Sequence, residues 1–146
     1  MRHLSFGTAK RNLEKIMKKS LTSVVAVAAI LVAGTAFAQM APSPAKTGDS
    51  SKGKVLTNSA GMTLYTFDKD AGGKSACNGP CAGNWPPLMA SADAKPASSY
   101  TIIARDDGAK QWAYKGKPLY TWKNDKAPGD ITGDGFANGA WHIAQP

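Results

Sequence analysis

From residue 54 onward, apolar residues come in short runs broken by glycine-rich and polar turns, and no stretch keeps the 3.6-residue apolar period of an amphipathic helix. Val55-Leu56-Thr57 and Met62 to Phe67 flank a polar turn at Asn58 to Gly61, which predicts a hairpin. A loop containing Gly72-Gly73 then runs to Trp85-Pro86-Pro87-Leu88, and Ser91 to Ser99 is a polar link. Tyr100 to Ala104 predicts a strand, Asp106-Asp107-Gly108 a turn, and Gln111 to Tyr114 and Lys117 to Trp122 two strands joined at Lys115-Gly116. A Gly/Asp-rich loop from Pro128 to Gly139 leads to a last strand, Trp141 to Ala144. The fold class expected is all-β: a small single domain of two tandem hairpin-plus-loop repeats packed together.

The N-terminal pattern is different. Met17-Lys18-Lys19-Ser20 opens a basic segment, Leu21 to Gly34 is apolar, and Ala36-Phe37-Ala38 puts small residues at the −3 and −1 positions of a cleavage site. Residues 1–38 are therefore expected to be a signal peptide, with Met17 as the working start. The apolar run is short and alanine-rich for a span of about 20 residues, so no membrane anchor is expected after cleavage. Residues 39–53, rich in Ala, Pro, Ser, Gly and Lys, are expected to be a flexible linker.

Residues 54–146 hold an internal repeat. Gly61-Met62-Thr63-Leu64-Tyr65-Thr66-Phe67-Asp68-Lys69-Asp70 aligns with Gly116-Lys117-Pro118-Leu119-Tyr120-Thr121-Trp122-Lys123-Asn124-Asp125, and Gly83-Asn84-Trp85 with Gly139-Ala140-Trp141. This sets one repeat at about 54–90 and the other at about 100–146. Each is too small to bury a core alone, so the two are expected to pack together. The doubled Y-x-[FWY]-x-x-D motif, as Tyr65/Phe67/Asp70 and Tyr120/Trp122/Asp125, resembles the secreted repeat of unknown function family, described as predicted lipoproteins. The resemblance covers essentially residues 54–146, including the segment from Cys77 to Leu88. It implies a bacterial envelope or secreted protein and brings no established activity or catalytic residue. The chain lacks the lipid-attachment cysteine after its apolar segment, so a non-lipidated form, periplasmic or secreted, is expected.

Charge changes the picture little once the leader is set aside. Of 18 basic and 10 acidic residues, 12 and 9 lie beyond residue 38, a net of +3. No basic cluster remains to grip a phosphate backbone, which excludes a nucleic-acid partner.

Cys77 and Cys81 are the only cysteines. Asn78-Gly79-Pro80 between them is turn chemistry, and in an oxidising compartment such a pair forms a disulfide. In the chain-entropy model so short a loop contributes only about 2 kcal/mol. The competing reading is a redox dithiol or a copper or zinc site, but the spacing is not C-x-x-C and no βαβ pattern surrounds it.

Alternate residues of a strand share a face, so Tyr65 pairs with Phe67 and Tyr120 with Trp122, leaving Leu64, Thr66, Leu119 and Thr121 opposite. Two readings follow. In one, these rings and Trp85 and Trp141 fill a small core while Asp70 and Asp125 accept backbone N–H bonds at loop starts. In the other, exposed rings stack a sugar or flat ligand, or relay electrons to a redox partner. No metal or other cofactor is expected. His142 with Met62 and Met89 is a weak soft-copper candidate, and Asp125, Asp130 and Asp134 miss the spacing of a calcium loop. No catalytic motif is present, and a triad would need His142 with a loop serine such as Ser75. The reading expected is a non-catalytic envelope module that binds an envelope protein or small ligand; the alternative is a periplasmic redox or copper-handling protein.

Overall fold

The computed structural model describes residues 43–146. The expected leader, residues 1–38, lies outside them, as do residues 39–42 of the expected linker. Among the described residues seven strands form three small antiparallel sheets: β1 (Lys46–Ser50) with β2 (Gly53–Thr57), β3 (Tyr65–Phe67) with β7 (Trp141–Ile143), and β4 (Tyr100–Ala104), β5 (Lys110–Tyr114) and β6 (Lys117–Pro118) in that order. Among these residues a single-turn helix, α1 (Pro80–Asn84), and a short turn, α2 (Phe136–Gly139), whose Ala137 and Asn138 are left-handed, precede the two repeat tryptophans. The domain is all-β.

Two local expectations change. The segment read as linker contains β1, which pairs with β2 from Lys46↔Thr57 to Ser50↔Gly53. Its sequence, Lys-Thr-Gly-Asp-Ser, has no apolar alternation because the strand is largely exposed and held by backbone hydrogen bonds at a sheet edge. Gly48 is needed there: a Cβ would lie 2.7 Å from Thr57 Cγ2.

The stretches read as long strands also change partners midway. After the Asn58 turn, Leu64 N–H still donates to the Leu56 carbonyl at 2.8 Å, but from Tyr65 the chain pairs with β7 instead. In the second repeat, Lys115 and Gly116 (φ 48° and 82°) make the left-handed two-residue turn that suits a tight hairpin. β6 then ends at Pro118, and Leu119 to Thr121 turns to residues 86–88 of the first repeat.

These switches interlock the repeats. Tyr65 and Tyr120 meet in an antiparallel bridge, with Tyr65 N–H donating to the Tyr120 carbonyl at 2.8 Å and Tyr120 N–H to the Tyr65 carbonyl at 3.0 Å. Around that centre the bonds recur in matched pairs. Ala144 N–H to Leu64 carbonyl corresponds to Leu88 N–H to Leu119 carbonyl, and Asp68 N–H to Ala140 carbonyl corresponds to Lys123 N–H to Asn84 carbonyl. The pattern is that of an internal two-fold relation, in which each repeat lends its tryptophan-bearing return segment to the tyrosine segment of the other.

Alternation along the central segments then separates two cores. Tyr65, Cys77, Trp85, Tyr120, Trp122 and Trp141 form an aromatic cluster. Ala45, Leu56, Leu64, Leu119 and Ala144 form an aliphatic one. Neighbours in sequence, Leu64 with Tyr65 and Leu119 with Tyr120, thus serve opposite sides, and all four are completely buried.

Candidate functional site

The motif residues converge in the aromatic cluster, and their pairing crosses between repeats. The Tyr65 hydroxyl donates to Asp125 Oδ2 at 2.6 Å, and the Tyr120 hydroxyl to Asp70 Oδ2 at 2.7 Å. Each tyrosine therefore holds the aspartate of the other repeat, 60 and 50 positions away in sequence. Burial, and then the hydrogen bond to Asp125, push the Tyr65 phenol far above its ordinary 10.0, so it stays protonated and donates. Tyr120 is raised too, first by burial, with Asp70 adding to the effect and Ser75 opposing it.

The two aspartates have unlike surroundings. Asp125 Oδ1 accepts from the Thr132 backbone N–H at 3.0 Å and the Thr132 hydroxyl at 2.6 Å, while Gly133 N–H donates to the Tyr65 oxygen at 3.3 Å. Asp70 Oδ1 accepts from Ala76 N–H at 2.7 Å. Burial raises the Asp70 carboxyl above its ordinary 3.8, against the pull of the Ala76 and Tyr120 bonds and the more distant Arg105 charge. Behind Tyr120 lies a buried polar group that sequence reasoning missed. Arg105, 6% exposed, donates to Ser75 Oγ, Gln111 Oε1 and the Cys77 carbonyl at 3.0, 2.7 and 2.7 Å. Ser75 Oγ in turn lies 2.7 Å from the Tyr120 hydroxyl, and Gln111 Nε2 donates to the Leu119 carbonyl. Among the described residues no buried side-chain polar atom lacks a partner. A lone arginine between a predicted strand and a predicted turn carries no motif; the only available signal was its being the single arginine beyond the leader.

The rings beneath the tyrosines are stacked. Phe67, Trp141, Trp85 and Trp122 follow one another at centroid separations of 4.2, 3.7 and 4.1 Å. Tyr65 stands edge-on to Trp85 at 5.3 Å and Tyr120 edge-on to Trp141 at 5.1 Å. Trp85 and Trp141 are only 3% and 2% exposed, so neither offers an open face to a stacking ligand. Phe136 leans on Trp85 and Trp122 from the exposed side. Gly133 is fixed by this packing: a Cβ there would come within 2.6 Å of the Trp85 ring.

Cys77 and Cys81 form a disulfide with Cα atoms 5.1 Å apart, and Cys77 is completely buried in the same cluster. It ties the loop that delivers the Cys77 carbonyl to Arg105.

The other candidates lie apart. His142 Nε2 is 2.8 Å from Asp68 Oδ2 on the exposed side of β7. Met62 sits at the turn beside β2, and exposed Met89 beside β5 in a different sheet. Ser75 is buried against Tyr120 and Arg105 while His142 engages Asp68. Of the three loop aspartates, Asp130 accepts from the Lys126 and Ala127 N–H groups, Asp134 meets Lys52, and Asp125 faces Tyr65. Among the described residues no three His, Cys, Asp or Glu side chains gather into a metal-holding group, and no helix is long and apolar enough to cross a membrane.

No curated protein and no solved structure matches the chain. The profile of a secreted repeat of unknown function matches it twice, over residues 46–89 and 101–145. With both copies interlocked through the same tyrosines, tryptophans and aspartates, the chain belongs to the family of secreted repeats of unknown function.

Proposed function

We propose that this secreted protein is a non-catalytic module of the bacterial envelope, exported by a leader cleaved after Ala38, whose repeat motif builds the scaffold and whose exposed surface does the binding. The observation that supports this reading is the internal use of the motif's tyrosines, aspartates and return tryptophans. Tyr65, Tyr120, Asp70 and Asp125 bond one another across the repeats, and Trp85 and Trp141 are buried between other rings. Side chains committed in this way confer rigidity, and the recognition that remains falls to polar surface such as the groove of about 440 Å³ lined by Lys46, Asp49, Thr57, Ser59 and Pro128.

The test uses purified exported protein and separated envelope fractions: peptidoglycan, lipid vesicles and envelope proteins. The reading expects saturable binding to one fraction, weakened by charge reversal at Lys46 or Asp49 with an unchanged melting temperature. N-terminal sequencing of the exported form should begin Gln39-Met40-Ala41-Pro42. Absence of saturable binding to every fraction contradicts the proposed role, and a different N-terminus contradicts the cleavage.

A further inference from the structure

We infer that the stacked rings and the two crossed tyrosine–aspartate pairs form a one-electron relay, which gives electrons to a radical or high-potential metal oxidant arriving at the protein surface. The geometry has three parts. Trp85 and Trp141 lie face to face at 3.7 Å with planes 3° apart, the closest ring pair in the cluster. Tyr65 and Tyr120 stand edge-on to these two rings, one on each, so that a continuous path Tyr65–Trp85–Trp141–Tyr120 runs through the centre. At each end the phenol donates its proton along a short hydrogen bond to a carboxylate, at 2.6 Å on Asp125 and 2.7 Å on Asp70.

A well-packed core needs none of these polar atoms. Phenylalanine at both tyrosine positions and an apolar residue at Asp125 would avoid burying a carboxylate, which is costly to desolvate. Beyond joining the two repeats, what the pairs add is chemical. A phenol is hard to oxidise unless its proton leaves with the electron, and Asp125 and Asp70 stand where that proton must go. Electron transfer requires proximity rather than solvent contact, so buried rings serve. The stack reaches solvent through half-buried Phe67 at one end, and Phe136, 48% exposed, leans on Trp85 and Trp122. Both cysteines are held in the disulfide, so no thiol competes as donor.

The step balances as follows. The oxidant takes one electron from a tryptophan ring, leaving a tryptophan radical cation. Tyr65 or Tyr120 returns one electron to that ring, its O–H bond breaks, and the proton passes to Asp125 or Asp70. A neutral tyrosyl radical and a protonated aspartate result. A small one-electron reductant, of the ascorbate or thiol class, restores the phenol as the aspartate gives its proton back.

The test is flash oxidation of the purified protein with a photogenerated ruthenium(III) polypyridyl complex, followed by time-resolved absorbance and EPR. The Y100F/Y114F variant leaves Tyr65 and Tyr120 as the only phenols, so any tyrosyl signal belongs to the motif. A tryptophan radical that converts into a tyrosyl radical, more slowly in heavy water, is the expected result. Adding D70N and D125N should slow that conversion on the order of 100-fold, the contribution of a positioned proton acceptor. The heavy-water measurement needs neither aspartate variant, so it decides even where they fail to fold. Absence of a tyrosyl radical in Y100F/Y114F, or a conversion rate insensitive to heavy water, would overturn the relay.

Discussion

Tyr65 shows how one atom carries a long-range constraint. Its hydroxyl is buried, donates to Asp125 and receives Gly133 N–H. Removing it in Y65F leaves a buried carboxylate and a backbone donor each short of a partner, and a loss of about 1–3 kcal/mol is expected by urea unfolding. Y120F should cost a similar amount, because Asp70 and Ser75 lose their shared partner. Gly133→Ala should be destabilising as well, by about 1–3 kcal/mol, since the added methyl group meets the Trp85 ring with no room to relax. Asp70 gives a pH signature. Its carboxyl is raised above 3.8 in the folded protein, chiefly by burial. The folded state therefore binds its proton more tightly than the unfolded state does. Stability from this group is complete below the unfolded value and is lost as pH rises through the folded one. The stability difference between wild type and D70N should accordingly shift against wild type as pH climbs from below 3.8 towards neutrality. A difference that is flat with pH would contradict the account.

The elements explain which parts of this fold a sequence reader can find. Short apolar runs between turn signals located β4, β5 and β7, and the paired Tyr-aromatic-Asp segments located the repeat, because each leaves a local trace in polarity or identity. β1 left none, since an exposed edge strand owes its existence to the backbone ladder with β2. The exchange of partners after Leu64 and after Pro118 also left none, because a strand sequence does not say which strand it will lie beside. Arg105 joined Ser75, Gln111 and the Cys77 carbonyl across 30, 6 and 28 positions, and no spacing rule connects such residues. The disulfide was legible from an isolated cysteine pair, the turn between them and the expected export, whereas its use, presenting the Cys77 carbonyl to Arg105, was not. Replacing both cysteines by serine should cost about 2 kcal/mol if loop closure alone is lost. A clearly larger loss, measured by unfolding with Arg105→Lys as a reference, would show that the Arg105 group depends on the bridge.

At the scale of the whole molecule the two repeats are one interlocked structure. Each return segment completes the other repeat's central segment, and each aspartate completes the other repeat's tyrosine. Fragments cut within the exposed link at residues 91–99 should be unfolded alone and recover the native circular dichroism when mixed one to one. Independent folding of either fragment as a monomer would contradict the interlocked arrangement. The crossed pairing is the core of that arrangement, and a double-mutant cycle on unfolding free energies tests it most directly. Y65F combined with D125N should show a coupling of about 0.5–3 kcal/mol, while Y65F combined with D70N should be additive within about 0.5 kcal/mol. Coupling of Tyr65 to Asp70, with none to Asp125, would mean that each repeat keeps its own motif and would contradict the account.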